Sequence, residues 1–139
     1  MDFSKLPSKA QILYVQAFML IVAKALVSSS KFDSVLKHEL AGYPAGFTLR
    51  LMVMNGPSLM LKVEDDNTLS DISSHNIKPD LDMKMKHISH AFLLFTMQES
   101  TVDSFVSNRI LVDGDVSKSV RFIRVMDRLE SLILPKIIA

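Results

Sequence analysis

From Ala10 to Val27 the apolar residues run so densely that only Gln11, Gln16 and Lys24 interrupt them. At 100° per residue those three scatter around the helical wheel, so the segment has no single wet face. Ser8 after Pro7, with Gln11 three residues on, has the form of a capping box and sets the start of this helix, while Ser28, Ser29 and Ser30 set its end near Val27. A helix apolar on most sides has to be covered on most sides. A domain core, a second subunit and a bilayer are the three available covers, and a run this short with an internal lysine sits at the lower limit for spanning.

Phe32, Val35, Leu36 and Leu40 recur at helical spacing and predict a short second helix, about Lys31 to Leu40, before Gly42, Pro44 and Gly46 mark a loop. Phe47, Leu49, Leu51 and Val53 then alternate with Thr48 and Arg50, with Met52 and Met54 making the other face apolar too, so 47–54 reads as a strand. Asn55-Gly56-Pro57 turns the chain into Leu59, Leu61 and Val63, alternating with Met60, Lys62 and Glu64, and the two runs form an antiparallel hairpin. The polar stretch Asp65 to Asn76 has room for a helical turn. Leu81, Met83 and Met85 alternate cleanly with Asp80, Asp82, Lys84 and Lys86, the signature of a half-buried strand.

The apolar segment Ile88 to Met97, followed by Ser100 and Asp103 capping a run with Val102, Phe105 and Val106, predicts two short helices in series. Ile110 to Val112 is another strand, Asp113-Gly114-Asp115 a turn, and a last helix runs from about Val116 to Leu134 before Pro135. The order α, α, β, β, β, α, α, β, α describes one α+β domain over 1–139, with 8–27 an additional, very apolar N-terminal helix. There is no internal repeat.

Composition narrows the function more than the fold. With 48% hydrophobic and 22% charged residues the chain folds, and with 16 basic against 15 acidic side chains it carries no general pull on nucleic acid. It has no cysteine, which excludes disulfides, thiolate metal sites and cysteine nucleophiles. Met1 to Lys9 lack the pattern of a secretory signal, so the cytoplasm is the expected compartment. Four glycines form neither a phosphate-binding loop nor a nucleophile elbow, so no enzyme and no cofactor is indicated.

Of the nine methionines, Met52, Met54, Met60, Met83 and Met85 fall on predicted strands, where β-branched residues are normally favoured. Unbranched and polarizable, they suit a wall that adapts to an irregular apolar guest, although each one also serves as ordinary core filling. Phe92, Phe95 and Phe105 can present ring surface to the same space. Arg121, Arg124 and Arg128 form a stripe on the last helix, opposite an apolar arc of Phe122, Val125, Met126, Leu129, Leu132 and Ile133; the stripe either meets phosphate or carboxylate headgroups or is a solvated face. His87 and His90 lie three apart, but no third ligand stands in register, so no metal site is expected.

Lys78-Pro-Asp80-Leu-Asp-Met-Lys-Met, the apolar helix through Phe95, Phe105, and Asn108-Arg-Ile-Leu-Val-Asp-Gly114-Asp115 leading into the last helix resemble the sterol carrier protein type two domain over about Lys78 to Ile133, and more loosely over Phe47 to Glu64. In that family a short strand ends in Gly-Asp before the closing helix, as at Gly114 and Asp115; glycine permits a positive φ there and aspartate caps the helix. Asn108-Arg109 stands where members often carry glycine. The resemblance implies a mainly antiparallel five-stranded sheet with helices on one face and an apolar tunnel for fatty acyl, sterol-like or isoprenoid ligands. The alternation itself supplies four strands, leaving one unassigned.

The expected function is a non-catalytic lipid-binding or lipid-carrying module. Its expected ligand contacts are Met83, Met85, Phe92, Phe95, Phe105 and Leu111, with Arg121, Arg124 and Arg128 at the headgroup. Three alternatives stay open. They are a homodimer through the first helix with a filled core, a transient membrane-surface contact, and an accessory role toward a hydrophobic substrate such as a quinone precursor.

Overall fold

The computed structural model describes residues 8–54, 56–87 and 110–138, so the expected pair of short helices between Ile88 and Val106 lies outside the described residues. Within them the chain forms α1 (Ser8–Phe32), α2 (Ser34–Leu40), β1 (Thr48–Val53), β2 (Ser58–Val63), β3 (Leu69–Asp71), β4 (Leu81–Met85), β5 (Ile110–Asp113) and α3 (Val116–Ile138). The strands make one five-stranded sheet in the order β3-β2-β1-β4-β5. Only the central β1–β4 pair is parallel; the other three pairings are antiparallel, including the expected β1–β2 hairpin.

Alternation along the strands gives the sheet one apolar face. Leu49, Leu51 and Val53 lie beside Leu61 and Leu59 on one side and Leu81, Met83 and Met85 on the other, and all are buried. The helices cover this face. Val15, Met19, Val22, Ala23, Leu26 and Ser30 share one side of the helical wheel and form the buried stripe of α1, and α3 adds Phe122, Val125, Met126 and Leu129. Each fully buried aliphatic side chain contributes about 1.5–3 kcal/mol, so the four large residues of the α1 stripe are a substantial share of the stability of such a domain.

The strand absent from the sequence reading is β3. The polar stretch Asp65 to Asn76, which has room for a helical turn, instead folds back as a hairpin with β2. Asn67, at φ 63°, takes the left-handed conformation that asparagine tolerates, and the Asp66 carboxylate accepts hydrogen bonds from the Thr68 amide (3.2 Å) and hydroxyl (2.6 Å). A three-residue strand with one buried apolar residue, Leu69, leaves almost no periodic trace.

Both long helices also outrun their expected ends. The serines do not stop α1 near Val27, because the Ser30 hydroxyl donates to the Val27 carbonyl (2.7 Å) and its oxygen accepts the Leu69 amide of β3 (3.0 Å). A serine with both its needs met inside the fold has no reason to break the helix. The second helix consequently begins at Ser34 instead of about Lys31, with Asp33 as its extended cap residue accepting the Leu36 amide (3.0 Å). At the C-terminus α3 runs on through Pro135 to Ile138, so Pro135 stands in its last turn and does not end it.

The strand-to-helix junction before α3 follows the sequence expectation. Gly114 has φ +135°, and a Cβ there would lie 2.9 Å from the Asp80 carbonyl oxygen, so only glycine fits. Asp115 accepts the Ser117 amide (2.8 Å) and caps α3.

Ser30 makes a direct test of how α1 is seated. Ser30→Ala leaves the Leu69 amide without its acceptor and should lower stability in urea denaturation by about 1–3 kcal/mol, whereas Ser28→Ala, on the exposed side of the same turn, should stay within about 0.5 kcal/mol. Equal effects at the two sites would contradict the seating.

Candidate functional site

The buried stripe leaves the opposite side of α1 unused, and that side is apolar as well. Leu13, Leu20 and Ile21 are each more than half exposed, Tyr14 is 40% exposed with its ring stacked on Phe18, and Phe32 is 78% exposed. The helix carries three lysines, Lys9, Lys24 and Lys31, all exposed, and no acidic residue. By length and composition 12–32 would cross a bilayer, but one stripe of it is already the cover of the sheet.

Where α1 passes the β1–β2 turn and the start of β2, its side chains and the sheet do not close on each other. They leave a cleft of about 370 Å3 walled by Met19, Leu20 and Ala23 of α1 and by Pro57 and Leu59, with Gln16, Ser58, Asp71 and Ser73 as its polar contacts. A second cleft of about 320 Å3 lies farther along the same helix, between Lys24, Val27, Lys31 and Phe32, and shares Asp71 with the first. The volumes fall at the small end of the range for small-molecule sites, and the mainly apolar wall with a few polar groups has their usual character. The Asp71 carboxylate accepts the Ser73 amide (2.9 Å) and hydroxyl, which holds the chain exit from β3 against the cleft.

Of the residues expected from the sequence, the described ones stand away from these clefts. Met83 and Met85 are buried in the core beside Leu51 and Val53 and line neither cleft. Leu111 cannot share a wall with them: its cross-strand partner is Lys84, which puts it on the opposite face of the sheet, 40% exposed, while Ile110 and Val112 face the core. A one-residue step along a strand changes the face. Phe92, Phe95 and Phe105 lie outside the described residues, as does His90 of the histidine pair. Among the described residues no group of three or more His, Asp or Glu is placed to hold a metal ion.

The arginine stripe lies against α2 and lines neither cleft. Arg128 pairs with Asp33 through Nε (3.0 Å) and a terminal nitrogen (2.8 Å), and Arg121 reaches both the side chain and the backbone carbonyl of Glu39 at 3.2 Å. Arg124, more exposed, stands 3.6 Å from the same Glu39 carboxylate. Gly42 makes room for this arrangement, since a Cβ there would lie 2.2 Å from the Arg121 guanidinium carbon. Tyr43 locks the adjacent loop: its buried hydroxyl donates to the Lys118 carbonyl (2.6 Å), Lys118 Nζ donates to the Gly42 carbonyl (2.9 Å), and burial pushes the phenol above its ordinary value. The three arginines therefore clasp α3 to α2, Arg128 through a two-point pair with Asp33 and Arg121 and Arg124 through Glu39.

On the far face of the sheet Arg50 and Asp82, neighbours across the parallel pair, form a two-point ion pair, and Asp82 is buried by it. Next to it Thr48 and Asp80 exchange hydrogen bonds: the Thr48 amide donates to the Asp80 carboxylate (2.9 Å) and the Asp80 amide to the Thr48 hydroxyl oxygen (2.9 Å). These contacts fix the register of β1 against β4 and hence the position of the core strands relative to α1.

Comparison with known proteins identifies the fold. No model of a known protein family matches the sequence, and no curated protein matches it either. Solved structures do match. A protein described as "UbiJ-SCP2 Ubiquinone synthesis protein" superposes with a TM-score of 0.54 at 17% identity, over 89% of this chain and 100% of that one. Sterol carrier protein 2 from Yarrowia lipolytica, in its apo form, gives 0.53 at 13% identity, over 81% of this chain and 89% of its own. The sterol carrier protein domain 2 of Helicoverpa armigera gives 0.53 at 12% identity, over 82% and 89%. The chain has the sterol carrier protein 2 fold, with the mostly antiparallel five-stranded sheet that the resemblance implied.

Asp33 sets the acid limit of the α2–α3 clasp. Its hydrogen bond from Arg128, opposed by burial and helped by the Leu36 amide, holds the carboxyl below its ordinary value of 3.8. A carboxyl depressed in the folded state stabilises fully above the unfolded value and loses that contribution as pH falls through the lower, folded one. The stability gap between the wild type and Asp33→Asn, measured by urea denaturation, should be constant between about pH 5 and 7 and shrink below about pH 4. A gap unchanged in acid would count against the pair.

Proposed function

We propose, from the sterol carrier protein 2 fold and the apolar cleft along α1, that this chain is a non-catalytic binding module for a lipid-like molecule, working in the cytoplasm. The observation that carries this reading is the cleft between α1 and β2, whose wall of Met19, Leu20, Ala23, Pro57 and Leu59 offers an apolar chain about 25 cal/mol for each Å2 it removes from water. Met19 is the adaptable element in that wall. Gln16, Ser58 and Ser73 at its margins are suited to orient a polar end by hydrogen bonds. Nothing in this role requires a nucleophile or a general base; the chemistry is exclusion of water around an apolar guest.

A second reading has its own support. One neighbour of this fold, covered over its whole length, is described as a ubiquinone synthesis protein, which favours an accessory role in which the guest is a prenylated quinone precursor. Both readings use the same cleft and differ in the guest's ring.

Organic extraction of gently purified protein followed by mass spectrometry should return an acyl or prenyl lipid, and a fluorescent fatty acid should bind and be displaced by that extract. Leu20→Lys places an ammonium on the exposed rim of the wall without touching the core, and should weaken probe binding by about tenfold. Extracts free of lipid together with no probe binding would overturn the proposal, and recovery of a prenylated ring compound would select the second reading.

A further inference from the structure

The margin of the cleft between α1 and β2 has a bias in its hydrogen bonding that the apolar wall does not explain. Asp71 stands opposite Leu61 across the β2–β3 pair, so it belongs to the helix-covered face of the sheet, and it lines both clefts. One of its oxygens is committed: Oδ1 accepts both the amide (2.9 Å) and the hydroxyl of Ser73. Oδ2 makes no hydrogen bond or ion pair among the described residues. Ser73, whose hydroxyl donates to Asp71, accepts the Met60 amide through the same oxygen (3.0 Å), so only a lone pair is left on it. The two side chains fixed at this margin therefore offer acceptors and no proton. Ser58 and Gln16 can each donate or accept, and suit any polar end. Among the described residues that line this cleft there is no lysine, arginine or histidine, while Lys24 and Lys31 line only the second cleft.

We infer that this cleft selects a guest whose polar end is a neutral hydroxyl, an alcohol or a phenol, over one that ends in a carboxylate or phosphate, and that Asp71 decides the selection. A hydroxyl brings the proton that Asp71 Oδ2 needs for a charge-assisted hydrogen bond, and its oxygen accepts one from Ser58 or Gln16. An ionised carboxylate brings lone pairs alone, so it meets Asp71 acceptor to acceptor and negative to negative. Asp71 is exposed, so salt screens its charge at a distance and the selection acts at contact. A fatty acid enters for its chain and is held less tightly than the alcohol of the same length. The inference rests on the lipid-binding reading and narrows the chemistry of the guest within it.

Displacement of a neutral, environment-sensitive probe from the full chain by dodecanol and by dodecanoate, at about pH 8 where the acid is ionised, compares two polar ends on one apolar chain. The alcohol should bind about tenfold more tightly. Asp71→Asn keeps an oxygen for Ser73 and adds an amide donor, and should bring the ratio to about one, chiefly by improving the acid. Asp66→Asn removes the same charge from the β2–β3 turn, outside both clefts, and should leave the ratio as it is in the wild type. Equal binding of the two compounds, or a ratio that Asp71→Asn does not move, would overturn the inference and leave the lipid-binding reading standing. A preference for the acid that Lys24→Gln removes would overturn it as well, by assigning the polar end to the second cleft. Displacement by neither compound, with no probe bound, would overturn both.

Discussion

Everything in this structure depends on one side of α1 closing the apolar face of the sheet. The sheet brings nine large apolar side chains from β1, β2 and β4 onto a single face, and these have to be removed from water for the domain to exist. Val15, Met19, Val22 and Leu26 supply the lid from one helix, and α3 supplies the rest. The Ser30 hydroxyl, bridging the last turns of α1 to the edge strand β3, fixes where along the sheet the helix lies. That seating is also what leaves a gap at the β1–β2 turn, so the cleft is a consequence of how the core is closed.

Polar contacts set the geometry that burial alone leaves loose. Hydrophobic burial is nondirectional, and it does not choose among nearby registers or helix angles. Arg50 with Asp82 and Thr48 with Asp80 choose the register of the parallel pair; Arg128 with Asp33 and Arg121 with Glu39 choose the placement of α2 on α3. Each partner lies far away in sequence. The arginine stripe is plain on the last helix, but a helical wheel shows only which way a charge points and never what stands opposite it, so the choice between a headgroup contact and a solvated face leaves out the pairing with Asp33 and Glu39 that the tertiary structure reveals.

What was legible in the sequence follows the same divide. Strands with sustained alternation, β1, β2 and β4, and the Gly114–Asp115 junction, whose glycine and cap are locally determined, are where the pattern placed them. Helix α1 was legible as a helix but not in its length, because Ser28 to Ser30 read as breakers until the Leu69 amide provides Ser30 with a partner. Strand β3 was invisible because its three residues hold a single apolar anchor. The cleft is hidden for a different reason: methionines on strands single out Met83 and Met85, which are buried in the core, while the surplus apolar side of α1 forms its wall at Leu20. Leu111 was assigned by residue type without its register, and the register turns it away.

The central claim is that the apolar guest lies between α1 and β2, outside the packed core. Methyl-resolved NMR during titration with a fatty acid tests it most directly, because methionine and leucine methyl groups report from both places at once. The account predicts that the methyls of Met19, Leu20 and Leu59 move with the guest while those of Met83, Met85 and Val53 hold still. Movement of the core methyls with Met19 and Leu59 unchanged would contradict it.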